Sequence, residues 1–170
     1  MTEETEDVAI QHEYLTSADF ARRAARAYTG FALLRPVTSI VFMIVAVAGV
    51  VSLVWGITSH DGFFTTIGIG YLAIPLLSAV LVYLRTLRGT ARRVPVGSRL
   101  AIGLGTTALR IDGPLGSSTS SYRSYTRAYR RGDFVILHIL GLRAYSIMPT
   151  ELFPGDDFER LRSSIARANS

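Results

Sequence analysis

Three histidines, a serine-rich stretch, two glycine-rich stretches and an arginine–tyrosine alternation are the residues whose types and spacing bear on chemistry in this chain. A metal centre needs its ligands grouped at short, regular spacing, and His12, His60 and His138 stand far apart with no pair at such a spacing. His60 beside Asp61 has the makings of a sensor of external pH, although a solvated turn is the commoner use of such a pair. His138 falls in an alternating run and is expected at a surface or half-buried position. Residues 117–121 (SSTSS) supply hydroxyls with no recognisable base beside them, so an acyl-transfer triad is not expected. With no cysteine in the chain, thiol nucleophiles, thiolate metal sites and disulfides are excluded. The sequence is therefore read as non-catalytic, with no catalytic residue, no cofactor and no metal.

The glycine patterns fail on their context. Gly103-Leu104-Gly105-Thr106-Thr107-Ala108 matches G-x-G-x-x-A, but that motif works only where a helix N-terminus follows and aims its amides at a pyrophosphate. Here the chain continues as Leu109-Arg110-Ile111-Asp112-Gly113-Pro114, which reads as strand and turn. Thr66-Ile67-Gly68-Ile69-Gly70-Tyr71 is similar to the glycine-rich filter of potassium channels. A filter is an unwound loop behind a pore helix, and this stretch is needed inside a long apolar helix, where packing explains the glycines.

Arg123, Tyr125, Arg127, Tyr129 and Arg131 alternate, so a strand would place all five on one face. Arg123, Arg127, Arg130 and Arg131 are the candidate binding residues, for acidic phospholipid headgroups or a protein partner, with nucleic acid less expected. A solvated basic surface is the competing reading. Tyr122 and Tyr125, three apart, would instead share one helical turn packed into a core. All 18 basic residues are arginine and the net charge is +5; the absence of lysine fits a GC-rich genome better than a demand for guanidinium chemistry.

The elements that must position these residues begin with two uncharged runs, residues 37–57 and 62–84. Each is long enough at 1.5 Å per residue to cross a hydrocarbon core of about 30 Å, and at that depth a helix is the open structure that satisfies its own backbone. Roughly 36 residues precede the first run, which argues against a cleaved signal peptide. Arg22, Arg23, Arg26 and Arg35 precede the pair, Arg85, Arg88, Arg92 and Arg93 follow it, and residues 58–61 between them carry no arginine. That asymmetry predicts both ends in the cytoplasm. Trp55, Phe63 and Phe64 then fall at the outer interface, Tyr28 and Tyr83 near the inner one. Ala48, Ser52 and Gly56 on the first helix, and Gly62, Thr66 and Gly70 on the second, form small-residue faces that pair within the hairpin or between copies. Pro75 is expected to kink the second helix.

Around the hairpin the pattern changes. Residues 1–15 read as an acidic tail (MTEETED) followed by a short strand over 8–14. Residues 16–35 read as an amphipathic helix, opened by a Thr16 and Asp19 capping box, with Phe20, Ala24, Ala27, Phe31 and Leu34 on one side and Arg22, Arg23 and Arg26 on its polar side. Such a helix suits an anionic membrane surface or serves as an ordinary orienting charge cluster. The hairpin proper is assigned to 36–86 and a cytoplasmic domain to 94–170. Strands are expected at 99–104, 108–112, 125–131, 134–140 and 143–148, separated by Gly/Pro turn signals, with Gly132-Asp133 as a hairpin turn. A last helix capped by Asp156 or Asp157 aligns Phe158, Leu161, Ile165 and Ala168 on one face. The simplest outcome is one antiparallel sheet closed by that helix.

The order of parts, together with Gly132-Asp133-Phe134-Val135-Ile136-Leu137 and Tyr145-Ser146-Ile147-Met148-Pro149-Thr150-Glu151-Leu152-Phe153, resembles YcxB-like membrane proteins. The matching stretch is mostly residues 117–165, and Tyr122 stands where the family pattern has a tryptophan. The resemblance implies a pleckstrin-homology-like sheet tethered to two helices and carries over no functional residue. The expectation is thus an α+β membrane protein, a transmembrane α-hairpin followed by a small antiparallel pleckstrin-homology-like domain, in the bacterial cytoplasmic (inner) membrane as a multi-pass protein. It would act as a binding or scaffolding module with the lipid bilayer, acidic phospholipids, a protein partner or a homo-oligomer as partners. The alternative is an oligomeric transport or channel component built from packed hairpins.

Overall fold

The structure is a computed structural model and describes residues 8–141 and 145–170. The expected acidic tail, residues 1–7, and the start of the expected strand at 143 lie outside the described residues. In chain order the elements are β1 (His12–Leu15), α1 (Phe20–Leu33), α2 (Pro36–Thr58), α3 (Gly62–Arg93), β2 (Arg99–Leu104), β3 (Ala108–Gly113), β4 (Gly116–Ser121), β5 (Tyr125–Arg131), β6 (Phe134–Ile139), β7 (Tyr145–Pro149) and α4 (Asp157–Ala168). Short 3-10 turns precede β5 at Tyr122–Ser124 and follow β7 at Thr150–Leu152. The class is α+β, in two compact units: Tyr28–Leu87, and the segments on either side of it.

The unit Tyr28–Leu87 is built on α2 and α3. Their mean hydropathies of 2.7 and 2.2, over 23 and 32 residues, make both long and apolar enough to cross a membrane. Pro36 opens α2, where its missing N–H costs nothing. Asp61 opens α3 by accepting the Phe63 amide on its carboxylate at 2.9 Å, so it caps a helix end. Between them His60 takes φ 57, a left-handed backbone that suits glycine better. Pro75 lies inside α3, which continues through it.

The helices touch through Gly49, Gly56 and Gly68, all buried. A Cβ on Gly68 would stand 2.6 Å from the Leu53 backbone nitrogen, and one on Gly49 3.0 Å from the Leu72 side chain. Gly62 and Gly70, expected at this seam, have nothing within 4 Å. The correction follows from helical phase. Gly49 and Gly56 are seven apart and stay on one face, whereas Gly70 is rotated roughly 200° from Gly68, two steps of about 100°.

The other unit holds two sheets where one was expected. All pairs are antiparallel, in the orders β1-β2-β3-β4 and β5-β6-β7. Strand β1 enters the first sheet across the whole hairpin, His12 opposite Ile102 and Leu15 opposite Arg99. Strand β4 (GSSTSS) was not expected, because it has no apolar alternation; its pairing with β3 from Ala108↔Ser121 to Gly113↔Gly116 makes it a strand. The core gathers Ile102, Leu109, Val135, Leu137, Leu152, Leu161 and Ile165 with Tyr122 and Tyr125. Central β6 is buried on both faces: Val135 and Leu137 enter this core, while Phe134 packs against Phe20 and Ala24 of α1. The predicted face of α4 is the one used, with Leu161 and Ile165 buried and Phe158 and Ala168 packed beside them.

Two caps differ from expectation. Thr16 is buried and donates its hydroxyl to the carbonyls of Pro95 at 2.8 Å and Ser98 at 3.1 Å, pinning the start of β2, and does not cap α1. Asp156 sits at the N-cap of α4 without a side-chain cap bond, and Asp157 instead meets His12 Nε2 at 2.8 Å.

Candidate functional site

The arginine-rich strand is not the five-residue face its alternation suggests. Arg123 lies in the 3-10 turn before β5, where the Ser121 hydroxyl accepts its amide, and the pairing of β5 with β6 slips between Tyr125 and Arg127. A bulge at that point turns Tyr125 inward, so Tyr122 and Tyr125 both join the core, as their spacing of three allowed. The Tyr122 hydroxyl donates to the Gly105 carbonyl at 3.0 Å. Burial pushes the Tyr125 hydroxyl above its ordinary pKa, the Ser120 side chain pulling the other way.

What remains outside is Arg123, Arg127, Arg130 and Arg131, all exposed. Among the described residues, none of the four is ion-paired with an acid. Several other arginines of this unit are ion-paired. Arg23, expected on the polar side of α1, is half-buried against Asp133 at 3.2 Å, Glu151 at 3.9 Å and Asp19 at 4.0 Å, with its guanidinium 5.8 Å from the Phe134 ring centre. The hydrogen bond from the Ser17 hydroxyl, with Arg23 and Arg22 nearby, holds the Asp19 carboxyl below its ordinary pKa. Arg99 pairs with Glu13, Arg110 with Asp112 at 3.2 Å and Arg160 with Asp157 at 3.3 Å. Arg22 and Arg26 of α1 stay exposed.

Beside β5 runs a groove of about 570 Å³, walled by residues 126–130 on one side and by Phe158, Arg162 and Ile165 of α4 on the other. Sequence reasoning missed it, since nothing local says that α4 lies along β5. A second cleft of about 510 Å³ lies between Val8, Thr106 and the Ser163, Ser164 and Arg167 flank of α4. At Gly103, the first glycine of the G-x-G-x-x-A match, a Cβ would collide with the Ala9 carbonyl, so this glycine serves the close approach of the chain before β1. The three histidines are dispersed, His12 on Asp157, His60 in the connector, and His138 stacked 4.8 Å from Tyr145 with its Nδ1 2.5 Å from Thr126 Oγ1. Among the described residues no three His, Asp or Glu side chains group as metal ligands would. Compared with family models, with curated proteins and with solved structures, the chain has no match.

Proposed function

We propose that the chain is a membrane-anchored, non-catalytic binding or scaffolding module. Its hairpin crosses the bacterial cytoplasmic membrane, and its pleckstrin-homology-like sheet unit offers Arg123, Arg127, Arg130 and Arg131 to an anionic partner in the cytoplasm. The observation that carries this reading is the inverted surface of α2 and α3. Glycines fill the seam while bulky apolar side chains face outward, Val47 at 58%, Trp55 at 62% and Leu76 at 67% exposure. Outside those two helices the exposed large apolar residues are only Leu15, Leu34, Val96, Leu115 and Leu140 among the described residues. Soluble monomers rarely expose a contiguous apolar patch beyond roughly 300–600 Å², and hydrocarbon is the solvent that removes the cost.

Lengths support the same reading. At 1.5 Å per residue α2 spans about 34 Å and α3 about 48 Å, against a hydrocarbon core of about 30 Å. The surplus of α3 is its last turns, which carry Arg85, Arg88, Arg92 and Arg93. Because β1 precedes the hairpin and β2 follows it, their pairing requires an even number of crossings. The arginine-free connector then belongs on the far side and the arginine-rich ends in the cytoplasm. A four-stranded and a three-stranded antiparallel sheet closed by a C-terminal helix is what supports the pleckstrin-homology-like assignment.

The absence of cysteine makes the test direct. Single-cysteine variants Ser59→Cys in the connector and Ser117→Cys in β4 are exposed to a membrane-impermeant maleimide on intact cells. Ser59→Cys should label and Ser117→Cys should label only after lysis, with both chains retained in membranes washed with alkaline carbonate. Labelling of Ser117→Cys in intact cells, or release by carbonate, would overturn the orientation or the insertion.

A further inference from the structure

Strand β5 is an edge: in the order β5-β6-β7 it bonds only to β6. The groove along it is walled by residues 126–130 taken consecutively. Successive strand residues point to opposite faces, so a wall made of consecutive residues is the strand's edge and not one of its faces. Phe158, Arg162 and Ile165, at helical spacing, form the facing wall as a single stripe of α4.

The turn fixes which backbone groups meet this groove. Gly132 has φ 54 and Asp133 no positive φ, the pattern of a two-residue type II′ hairpin closed by Arg131 opposite Phe134. The closing pair is hydrogen-bonded, so by alternation Tyr129 and Arg127 also bond to β6, while Ala128 and Arg130 turn their N–H and C=O groups to the open side. Such groups recur about every 6.8 Å, two residues at roughly 3.4 Å, which is the repeat of another extended chain.

We propose that an extended, acidic segment of another polypeptide docks in this groove as an added strand on β5. The proposal rests on the binding-module reading above and names its partner. Backbone bonding to Ala128 and Arg130 supplies the register, and Phe158 on one side and Tyr129 on the other receive alternate side chains. Arg127 and Arg130, three apart, fall on opposite faces of β5, so acidic side chains meet Arg127 on one face and, on the other, Arg130 together with Arg162 of the helix wall, whose own acid, Glu159, is 3.7 Å away in an exposed contact. Charges on an edge strand ordinarily deter pairing with stray strands; here they deter neutral and basic ones and attract acidic ones. A lipid headgroup offers phosphate to the arginines but no row of amides and carbonyls to match the edge.

The test uses the full chain in phosphatidylcholine nanodiscs and a fluorescein-labelled hexapeptide, Glu-Thr-Glu-Val-Glu-Val, followed by anisotropy and amide hydrogen exchange. Saturable binding is expected, with slowed exchange at Ala128 and Arg130. Affinity should fall at least tenfold for the Arg127→Glu/Arg130→Glu double variant, and comparably for a peptide N-methylated at alternate residues. Arg127→Gln/Arg130→Gln, with an intermediate loss, serves if the glutamate variant fails to fold by circular dichroism. Absence of saturable binding overturns the proposal, as does equal binding of the N-methylated peptide, which is adsorption by charge alone. A response only when phosphatidylglycerol is added assigns the arginines to headgroups and overturns it too. Exchange already slow without peptide, and released by deleting residues 1–7, makes the occupant the chain's own acidic start and overturns the external partner. Retention of the chain in the nanodisc throughout keeps the membrane reading separate from this result.

Discussion

The two units obey one packing rule with the residues exchanged. In the sheet unit Ile102, Leu109, Leu137 and Leu161 are fully buried and glycines such as Gly132 and Gly155 mark turns at positive φ. In the hairpin unit Gly49, Gly56 and Gly68 are buried and valine, leucine and isoleucine face out. Where water is the solvent, burying a large apolar side chain stabilises by about 1.5–3 kcal/mol, so bulk goes inside. Where lipid is the solvent that driving force is missing, and close approach of two backbones decides instead. Apolar content alone therefore does not say which way a residue faces; the surrounding medium does.

The largest expected effect that tests this contrast is in the sheet unit. Leu161→Ala should destabilise it by about 2–5 kcal/mol, the range for opening a cavity in a filled core, as read by thermal unfolding of the full chain. Val47→Ala on the outward face of α2 should change stability little, and a comparable loss there would mean that α2 is covered by protein. Next comes the seam. Gly68→Leu drives a side chain into the Leu53 backbone and should cost about 1–3 kcal/mol in detergent unfolding, while Gly70→Leu, with open space around it, should be near neutral. Equal effects would abolish the inside–outside distinction drawn for the hairpin.

The smallest effect is a pH dependence. The folded state holds the Tyr125 hydroxyl above its ordinary pKa of 10.0, so folding favours the protonated form. The stability that goes with it is intact below pH 10 and is lost as pH rises through the raised value. Melting between pH 8 and pH 11.5 should therefore fall at the alkaline end, and Tyr125→Phe should flatten that decline.

How much of this was legible depended on whether the cause was local. The hairpin was, because length and the absence of charge are properties of a single run. The inward face of α4 was, because Leu161 and Ile165 are a turn apart. Strand β4 was not, since Ser and Thr carry no alternation and its partner β3 makes it a strand. The acid cage around Arg23 joins residues 110 apart in sequence, so α1 looked basic where one of its arginines is neutralised. At the candidate site, arginine identity and the inward turn of Tyr122 and Tyr125, three apart, were visible, but the bulge that breaks the pairing after Tyr125 and sets Arg123 apart from β5 was not. The groove needed α4 beside β5, which only tertiary structure supplies.

The register between β1 and β2 also has a consequence for biosynthesis. Leu15 leaves the ribosome about 80 residues before its partner Arg99. At about 5–20 residues per second, the first strand must wait several seconds for its partner, and in the proposed membrane-anchored arrangement the hairpin would be integrated during that interval. Until then it has no neighbour to zip against, so under the proposed insertion completion of the sheet would report that both helices are in place. Under the same proposal, a chain that threaded only one helix would leave β1 and β2 in different compartments, and a quality-control protease would meet an open sheet.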